Sequence, residues 1–275
     1  MTTGEAQVGR LVVCPTPIGN LEDVTLRVLD ALRRAELVAC EDTRHTTVLL
    51  NRYGIAARVV SFHEHNERAR AAELVERMRA GAVVALVSDA GTPLVSDPGF
   101  ALVRACVAAG LELEVLPGPS AVLTALVASG LPVERWRFVG FLPRARGGLA
   151  ALLTGAAETL VAFESPRRLA ATLAVLATND PQRPLAVCRE LTKLHEEVRR
   201  GSAAELAEHY REAPARGEIV LVIGAADAGR ASLRDALAAL RELIDAGAKA
   251  RPAAAVVAKL TGLRANELYR EITRK

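Results

Sequence analysis

Leu86-Val87-Ser88-Asp89-Ala90-Gly91-Thr92-Pro93, followed closely by Ser96-Asp97-Pro98-Gly99, is the stretch on which the reading of this chain turns. Val83, Val84, Leu86 and Val87 have the pattern of a buried strand, and the residues after them cannot continue one. Gly91 admits backbone angles closed to other residues, Pro93 fixes its own and lacks a donor, and Pro98 ends any ladder. A strand that stops so abruptly presents a small, polar edge, and in α/β proteins ligands sit at the carboxyl ends of strands. An ordinary strand-to-helix connection would also satisfy this stretch taken by itself, with Asp97 as a loop former.

Working outward, the same alternation recurs. Leu11-Val12-Val13-Cys14 runs into Pro15-Thr16-Pro17-Ile18-Gly19-Asn20-Leu21, after which Val24, Val28 and Leu32 mark one helical face. Neither G-x-G-x-x-G nor G-x-x-x-x-G-K-[ST] follows the strand, so a conventional dinucleotide fold or P-loop is unsupported. Leu37–Cys40 leads to Glu41-Asp42-Thr43-Arg44-His45, where the acids suit a helix start as well as chemistry. Arg58–Phe62 leads to His63-Glu64-His65-Asn66-Glu67, whose H-x-H lacks further Cys or His to complete a metal shell, so no metal is expected. Leu113–Leu116 ends in Pro117-Gly118-Pro119, with Ser120 placed to cap a helix from Ala121. Five strands alternating with helices predict a parallel sheet over residues 1–130.

The pattern breaks from Leu131-Pro132 to Arg146-Gly147-Gly148, a stretch that holds the only tryptophan, Trp136, and the Phe138–Pro143 segment. A second α/β domain is expected over 131–228. Its strands are Thr159–Phe163, ending at Glu164-Ser165-Pro166-Arg167-Arg168; Leu185–Cys188, ending at Arg189-Glu190-Leu191-Thr192-Lys193; an exposed hairpin strand at Glu196–Gly201; and Glu218–Ile223. Strand-helix alternation mixed with adjacent strands predicts a mixed sheet. Ala225–Arg230 reads as a linker. Residues 229–275 read as a helical module, in which two short helices joined at Thr261-Gly262-Leu263 have a helix-turn-helix pattern.

The composition sets bounds on this picture. The chain has 275 residues, long enough for two medium domains with real cores, and a hydrophobic content of 51% with only 3% aromatic. No apolar run reaches the roughly 18–20 residues of a membrane helix, and Met1–Gln7 lacks a signal-peptide pattern. A soluble cytoplasmic protein without membrane partners is expected. The four cysteines are scattered and suit small buried side chains. Residues 230–275 hold ten Lys and Arg against five acids, a net of +5, while 1–229 hold 25 against 27. A basic tail suits a polyanion, though a solvated surface explains it as well.

Seven ordered motifs carry a resemblance: Pro15–Leu21, Glu41–Arg44, Ser88–Pro93, Ser96–Gly99, Leu116–Ser120, Gly140-Phe141-Leu142-Pro143 and Arg189–Lys193. From about Leu11 to its end the chain resembles the bacterial 16S ribosomal RNA cytidine-2′-O-ribose methyltransferases of the tetrapyrrole methylase superfamily. The resemblance implies two α/β domains of that type, S-adenosylmethionine bound in a cleft between them, a homodimer, and a cytidine ribose in 16S rRNA or the 30S subunit as substrate. Matched by motif, it implies cofactor contacts from Pro17, Asp89, Gly91, Thr92, Leu94, Val95, Ser120 and Ala121. It implies further contacts from Phe163, Glu164, Cys188 and Leu221.

Attack of a 2′-hydroxyl on a sulfonium methyl needs alignment and a proton acceptor. Strand-end candidates are Glu41, Asp42, His63, Glu190 and Lys193, among which the sequence does not choose. Arg44, His63, Asn66, Arg189, Lys193, Lys259, Arg264 and Arg270 are the candidates for RNA contact. Methylation of a small tetrapyrrole and non-enzymatic nucleic-acid binding are the competing readings. The Glu41–Arg44 and Arg189–Lys193 motifs weigh against the first, and the strand-end motifs in both halves weigh against the second.

Overall fold

The computed structural model describes residues 9–153, 156–226, 233–261 and 263–273. The last four residues of the expected linker, the domain boundary at 228/229, Gly262, Arg274 and Lys275 lie outside them. The chain forms two compact units. One ends at Thr124 and also takes in Glu190–Glu196; the other comprises Ala125–Arg189 and the residues from Glu197 onward. The division therefore falls after Thr124, within a helix, where the sequence suggested 130.

The first unit holds a wholly parallel sheet of β1 (Arg10–Val13), β2 (Leu37–Cys40), β3 (Arg58–Ser61), β4 (Val83–Leu86) and β5 (Glu112–Val115) in the order β3-β2-β4-β1-β5. Its helices are α1 (Leu26–Arg34), α2 (Thr43–Arg52), α3 (Glu67–Arg79), α4 (Phe100–Ala108) and α5 (Ala121–Ser129), the last shared with the other unit. Because side chains alternate along a strand, one sequence supplies two cores. Val12, Cys14, Val38, Cys40, Ala85 and Val87 pack with Val28 and Leu32 of α1 and Leu49 and Leu50 of α2. Leu11, Val13, Leu37, Ala39, Val84 and Leu86 pack with Leu74 and Met78 of α3 and Leu102 and Cys106 of α4. Each fully buried Leu of this kind contributes about 2 kcal/mol.

Strand order decides where a ligand can enter. From β1 the chain crosses towards β2 on one side; from β4 it crosses to β5 on the other. Neighbouring β4 and β1 thus form a topological switch point, the place in an open α/β sheet outside which ligands bind.

The second unit holds a mixed sheet in the order β6-β7-β10-β8-β9, formed by β6 (Trp136–Phe141), β7 (Thr159–Glu164), β8 (Pro184–Arg189), β9 (Glu197–Ser202) and β10 (Ile219–Ile223). Only β6 and β7 are parallel; the other pairings are antiparallel. Leu160, Ala162, Leu185, Val187 and Leu221 pack with Leu149 of α6 (Arg146–Leu153), Leu169 and Leu173 of α7 (Pro166–Asn179), and Leu206 of α8 (Ala203–Glu212). The sequence pattern does not announce β6 within the Trp136–Pro143 segment. Gly140 at φ 65 and a register shift between Phe138 and Phe141 break its alternation, which hides the strand from a period-two reading. The helices α9 (Leu233–Asp245), α10 (Ala250–Thr261) and α11 (Ala265–Thr273) share a core of Ala236, Leu240, Ala253, Ala254, Val257 and Leu268.

Candidate functional site

At the switch point, the loops after β1 and β4 are locked to each other. Thr16 and Gly91 form a two-way backbone bridge, with Thr16 N–H to the Gly91 carbonyl at 2.8 Å and Gly91 N–H to the Thr16 carbonyl at 2.9 Å. The Thr16 hydroxyl donates to the Ser88 carbonyl at 3.0 Å, and the Ser88 hydroxyl to the Gly91 carbonyl at 3.1 Å. The Thr92 hydroxyl donates to the Pro119 carbonyl at 3.2 Å, which ties in the loop after β5. Ser120 caps α5 by accepting Leu123 N–H at 3.4 Å. Pro17, Asp89, Gly91, Thr92, Leu94, Val95, Ser120 and Ala121 therefore share these three interlocked loops or the helix start that follows them. Gly91 sits at φ 74, and Leu94 and Ser96 at φ 73 and 67, where side chains are strained by about 1–2 kcal/mol each.

The other two left-handed non-glycine residues described, Glu190 at φ 50 and Thr192 at φ 66, lie in the loop that leaves β8. That loop belongs to the first unit: the Thr192 hydroxyl accepts Asn20 N–H at 3.1 Å. A Cβ on Gly19 would stand 2.5 Å from Lys193 Cγ, so only glycine permits this seat. Lys193 Nζ is 3.0 Å from Glu190 Oε1 within the same loop.

Carboxylates crowd the ends of β2 and β4. Asp89 accepts Asp42 N–H at 2.9 Å and lies 3.7 Å from His45 Nδ1. Asp42 caps α2 by accepting Arg44 N–H at 2.8 Å, and the Arg44 guanidinium, 2.7 Å away, holds its carboxyl down to about 2. Asp42 is thus a weak base, and Arg44 is engaged by it. Burial, reinforced by Asp89, raises Glu41. Asp97 is raised most among these acids, to about 7, by burial and then by Glu41 and Asp89. Sequence reading assigns Asp97 only to loop formation. Its signal, a third acid within reach of two others, exists only in three dimensions.

The other expected residues serve varied ends. Asn66 closes a local turn: its side-chain carbonyl accepts His63 N–H at 2.9 Å and its amide donates to the Ser61 carbonyl at 3.2 Å. Its side chain serves the fold, which argues against the RNA contact suggested for it. His63 Nδ1 is buried without a hydrogen-bond partner. No three His, Cys, Asp or Glu among the described residues group as a metal site. In the second unit Phe163 stacks edge-on with Phe138 and Phe141 at 5.0 and 5.5 Å. Glu164 is buried and accepts from the Thr172 hydroxyl at 2.6 Å and Ser165 N–H at 2.7 Å, with Arg168 at 3.3 Å. Cys188 and Leu221 have no exposed surface. Arg189 pairs with Glu197 at 3.1 Å. Lys259, Arg264 and Arg270 are exposed on α10, α11 and the turn between them, with Arg264 3.4 Å from Glu267.

Known proteins are similar to this chain in sequence and in fold. The profile of the tetrapyrrole (corrin/porphyrin) methylases matches residues 10–207. The chain is 45% identical over 274 residues to a ribosomal RNA small subunit methyltransferase I of Micromonospora olivasterospora, covering 98% of this chain and 88% of that one. It is 43% identical over 269 residues to the protein of the same name from Escherichia coli O157:H7, covering 95% and 94%. Among solved structures, a uroporphyrin-III-C-methyltransferase from Thermus thermophilus superposes with a TM-score of 0.58 at 27% identity, over 78% of this chain and 94% of that one. A T. thermophilus structure of the same activity, complexed with S-adenosylhomocysteine, shares the fold at 22% identity and a TM-score of 0.55, over 78% and 97%. A two-unit α/β chain whose interlocked strand-end loops fall inside the matched region belongs to the tetrapyrrole (corrin/porphyrin) methylase family, and its chemistry is methyl transfer.

Proposed function

We propose that this chain methylates the ribose 2′-hydroxyl of a cytidine in 16S rRNA, using S-adenosylmethionine, and that it acts as a cytoplasmic homodimer. The observation that carries the reading is negative charge left uncompensated at the switch point. Glu41, Asp89 and Asp97 stand together, and none is paired with a lysine or arginine among the described residues. S-adenosylmethionine bears a sulfonium and an ammonium, so this field favours it, while the interlocked loops offer backbone groups to its neutral parts. When bound, it supplies an electrophilic methyl on a good leaving group.

The chain's own residues then have two tasks. Asp89, Gly91, Thr92, Leu94 and Val95, with Pro17, Ser120 and Ala121, would hold the donor. Aligning donor and hydroxyl accounts for most of the acceleration. A base acting near neutrality needs a raised proton affinity, which Glu41 and Asp97 have; Asp42 is tied to Arg44 and Glu190 to Lys193. Arg44, His63, Arg189 and Lys193, with exposed Lys259, Arg264 and Arg270, would position RNA through its phosphates. Homodimer formation is supported by Phe100, Val107, Val115 and Leu123, apolar and each more than half exposed in the first unit. No helix among the described residues is long and apolar enough to cross a membrane.

The test is incubation with methyl-labelled S-adenosylmethionine and, separately, 30S subunits, naked 16S rRNA or a corrinoid precursor. Label in the ribose of one rRNA cytidine is expected. Label in the corrinoid alone, or in no RNA, overturns the reading.

A further inference from the structure

Glu67, the last residue of His63-Glu64-His65-Asn66-Glu67, takes no part in holding donor or RNA. It opens α3, yet its carboxylate crosses to the head of α4. A single oxygen, Oε1, accepts Gly99 N–H at 2.9 Å and Ala101 N–H at 2.9 Å. The first amides of a helix have no partner within it and form a ready anion site. In α4 that site is filled from inside the protein, so neither a phosphate nor the donor's carboxylate can use it.

Gly99 is also where the loop from β4 ends. Its φ of 137 suits glycine, and a Cβ there would lie 2.8 Å from Leu94 Cδ1 and 3.0 Å from Leu86 Cδ2. Leu94 therefore rests on Gly99, and Glu67 holds the Gly99 amide. At the other end the Thr16–Gly91 bridge pins the loop. Between these two anchors stand the left-handed Leu94 and Ser96, with Val95 part exposed and its N–H on the Thr92 carbonyl at 3.3 Å. Strained backbone of this kind persists only where the surroundings over-determine it.

We propose that Glu67 is a positioning residue for methyl transfer: by accepting the Gly99 and Ala101 amides it holds the strained backbone at Leu94 and Ser96, and with it the side chains of Leu94 and Val95 that the donor meets. This rests on the reading of the Ser88–Gly99 loop as the S-adenosylmethionine wall. Asn66 assists by closing the turn that delivers α3 and its first residue. A plain helix cap would behave differently, since its loss lowers stability without touching cofactor affinity.

The experiment measures S-adenosylmethionine affinity by calorimetry, KM for S-adenosylmethionine and for 30S subunits, and thermal unfolding, in the wild type, Glu67→Ala, Glu67→Gln and the exposed neighbour Glu64→Ala. Glu67→Ala is expected to weaken S-adenosylmethionine binding about tenfold and raise its KM alike, with the KM for 30S subunits within about twofold. Glu67→Gln keeps an oxygen that accepts both amides and should bind within about threefold of wild type, as should Glu64→Ala. Wild-type affinity in Glu67→Ala, or a Glu67→Gln as weak as Glu67→Ala, overturns the positioning role. Should Glu67→Ala fail to fold, Glu67→Asp, whose shorter side chain does not reach both amides, takes its place: weakened S-adenosylmethionine binding is expected, and wild-type affinity overturns the role. A wild type that binds no S-adenosylmethionine overturns the underlying reading as well, which separates the two failures.

Discussion

Two carboxylates at the carboxyl ends of strands, Glu164 closing β7 and Asp97 beyond β4, stand in opposite conditions. Glu164 has no accessible side-chain surface and is fully provided for, by the Thr172 hydroxyl, the Ser165 amide and the Arg168 guanidinium. Asp97 is held in a loop with two left-handed non-glycine residues, beside Glu41 and Asp89. A satisfied buried acid is part of the scaffold. One kept among like charges and strained backbone costs stability as it ionises, and that is the signature of a functional rather than a scaffold acid.

That contrast is open to experiment, and the largest effect belongs to the scaffold acid. Glu164→Ala removes an acceptor from a buried hydroxyl and a part-buried amide and strips Arg168 of its partner. Unfolding free energy should fall by about 3 kcal/mol, measured by denaturant titration. If the variant instead keeps its stability and loses S-adenosylmethionine affinity, the two acids have been assigned the wrong way round.

Asp97→Asn should do the reverse. Below about pH 4 the folded and unfolded chains both hold the proton and Asp97 is neutral to stability. Between there and about 7 only the folded chain holds it, so stability falls as pH rises, and above about 7 the whole cost is present. Asparagine abolishes that slope and should stabilise the protein at pH 8 by about 1–2 kcal/mol once solvent screening is allowed for. It should also remove the rise of S-adenosylmethionine affinity with pH that a cationic ligand beside an ionising carboxylate produces, and reduce turnover. A wild-type stability profile that is flat between pH 5 and 8 would contradict the crowding of these acids.

How much of the fold and site is legible in the sequence follows from which forces act locally. Strands such as Leu37–Cys40 and the two-faced alternation of Leu11–Cys14 declare themselves, because burial on a parallel sheet imposes its period directly on sequence. Prolines and glycines around Pro15–Leu21 and Pro117–Ser120 mark the loops at the strand ends, because their effect on the backbone is also local. Tertiary decisions leave no such trace. Nothing near Thr192 announces that its hydroxyl takes the Asn20 amide and draws Glu190–Glu196 into the first unit. Nothing near Glu67 announces a bond to a helix some thirty residues on, and Asp42 and Asp97 look alike until Arg44 is seen to serve only the former.

The smallest effect concerns the basic tail, where the same distinction applies to cations. Arg251 lies over the Tyr269 ring at 5.8 Å and is engaged within the module, while Arg264, 3.4 Å from Glu267 in an exposed pair, is held only loosely. Lys259 and Arg270 are exposed in the same α10–α11 unit and have charge to give to a phosphate. Replacing both with alanine should raise the KM for 30S subunits about three- to tenfold and lower the salt slope of binding by about 1 for each phosphate no longer neutralised. Methyl-donor affinity and unfolding should be unmoved, because neither side chain is buried. A salt slope equal to wild type would mean that the tail's net charge is solvated surface, and that RNA is held by the strand-end arginines alone.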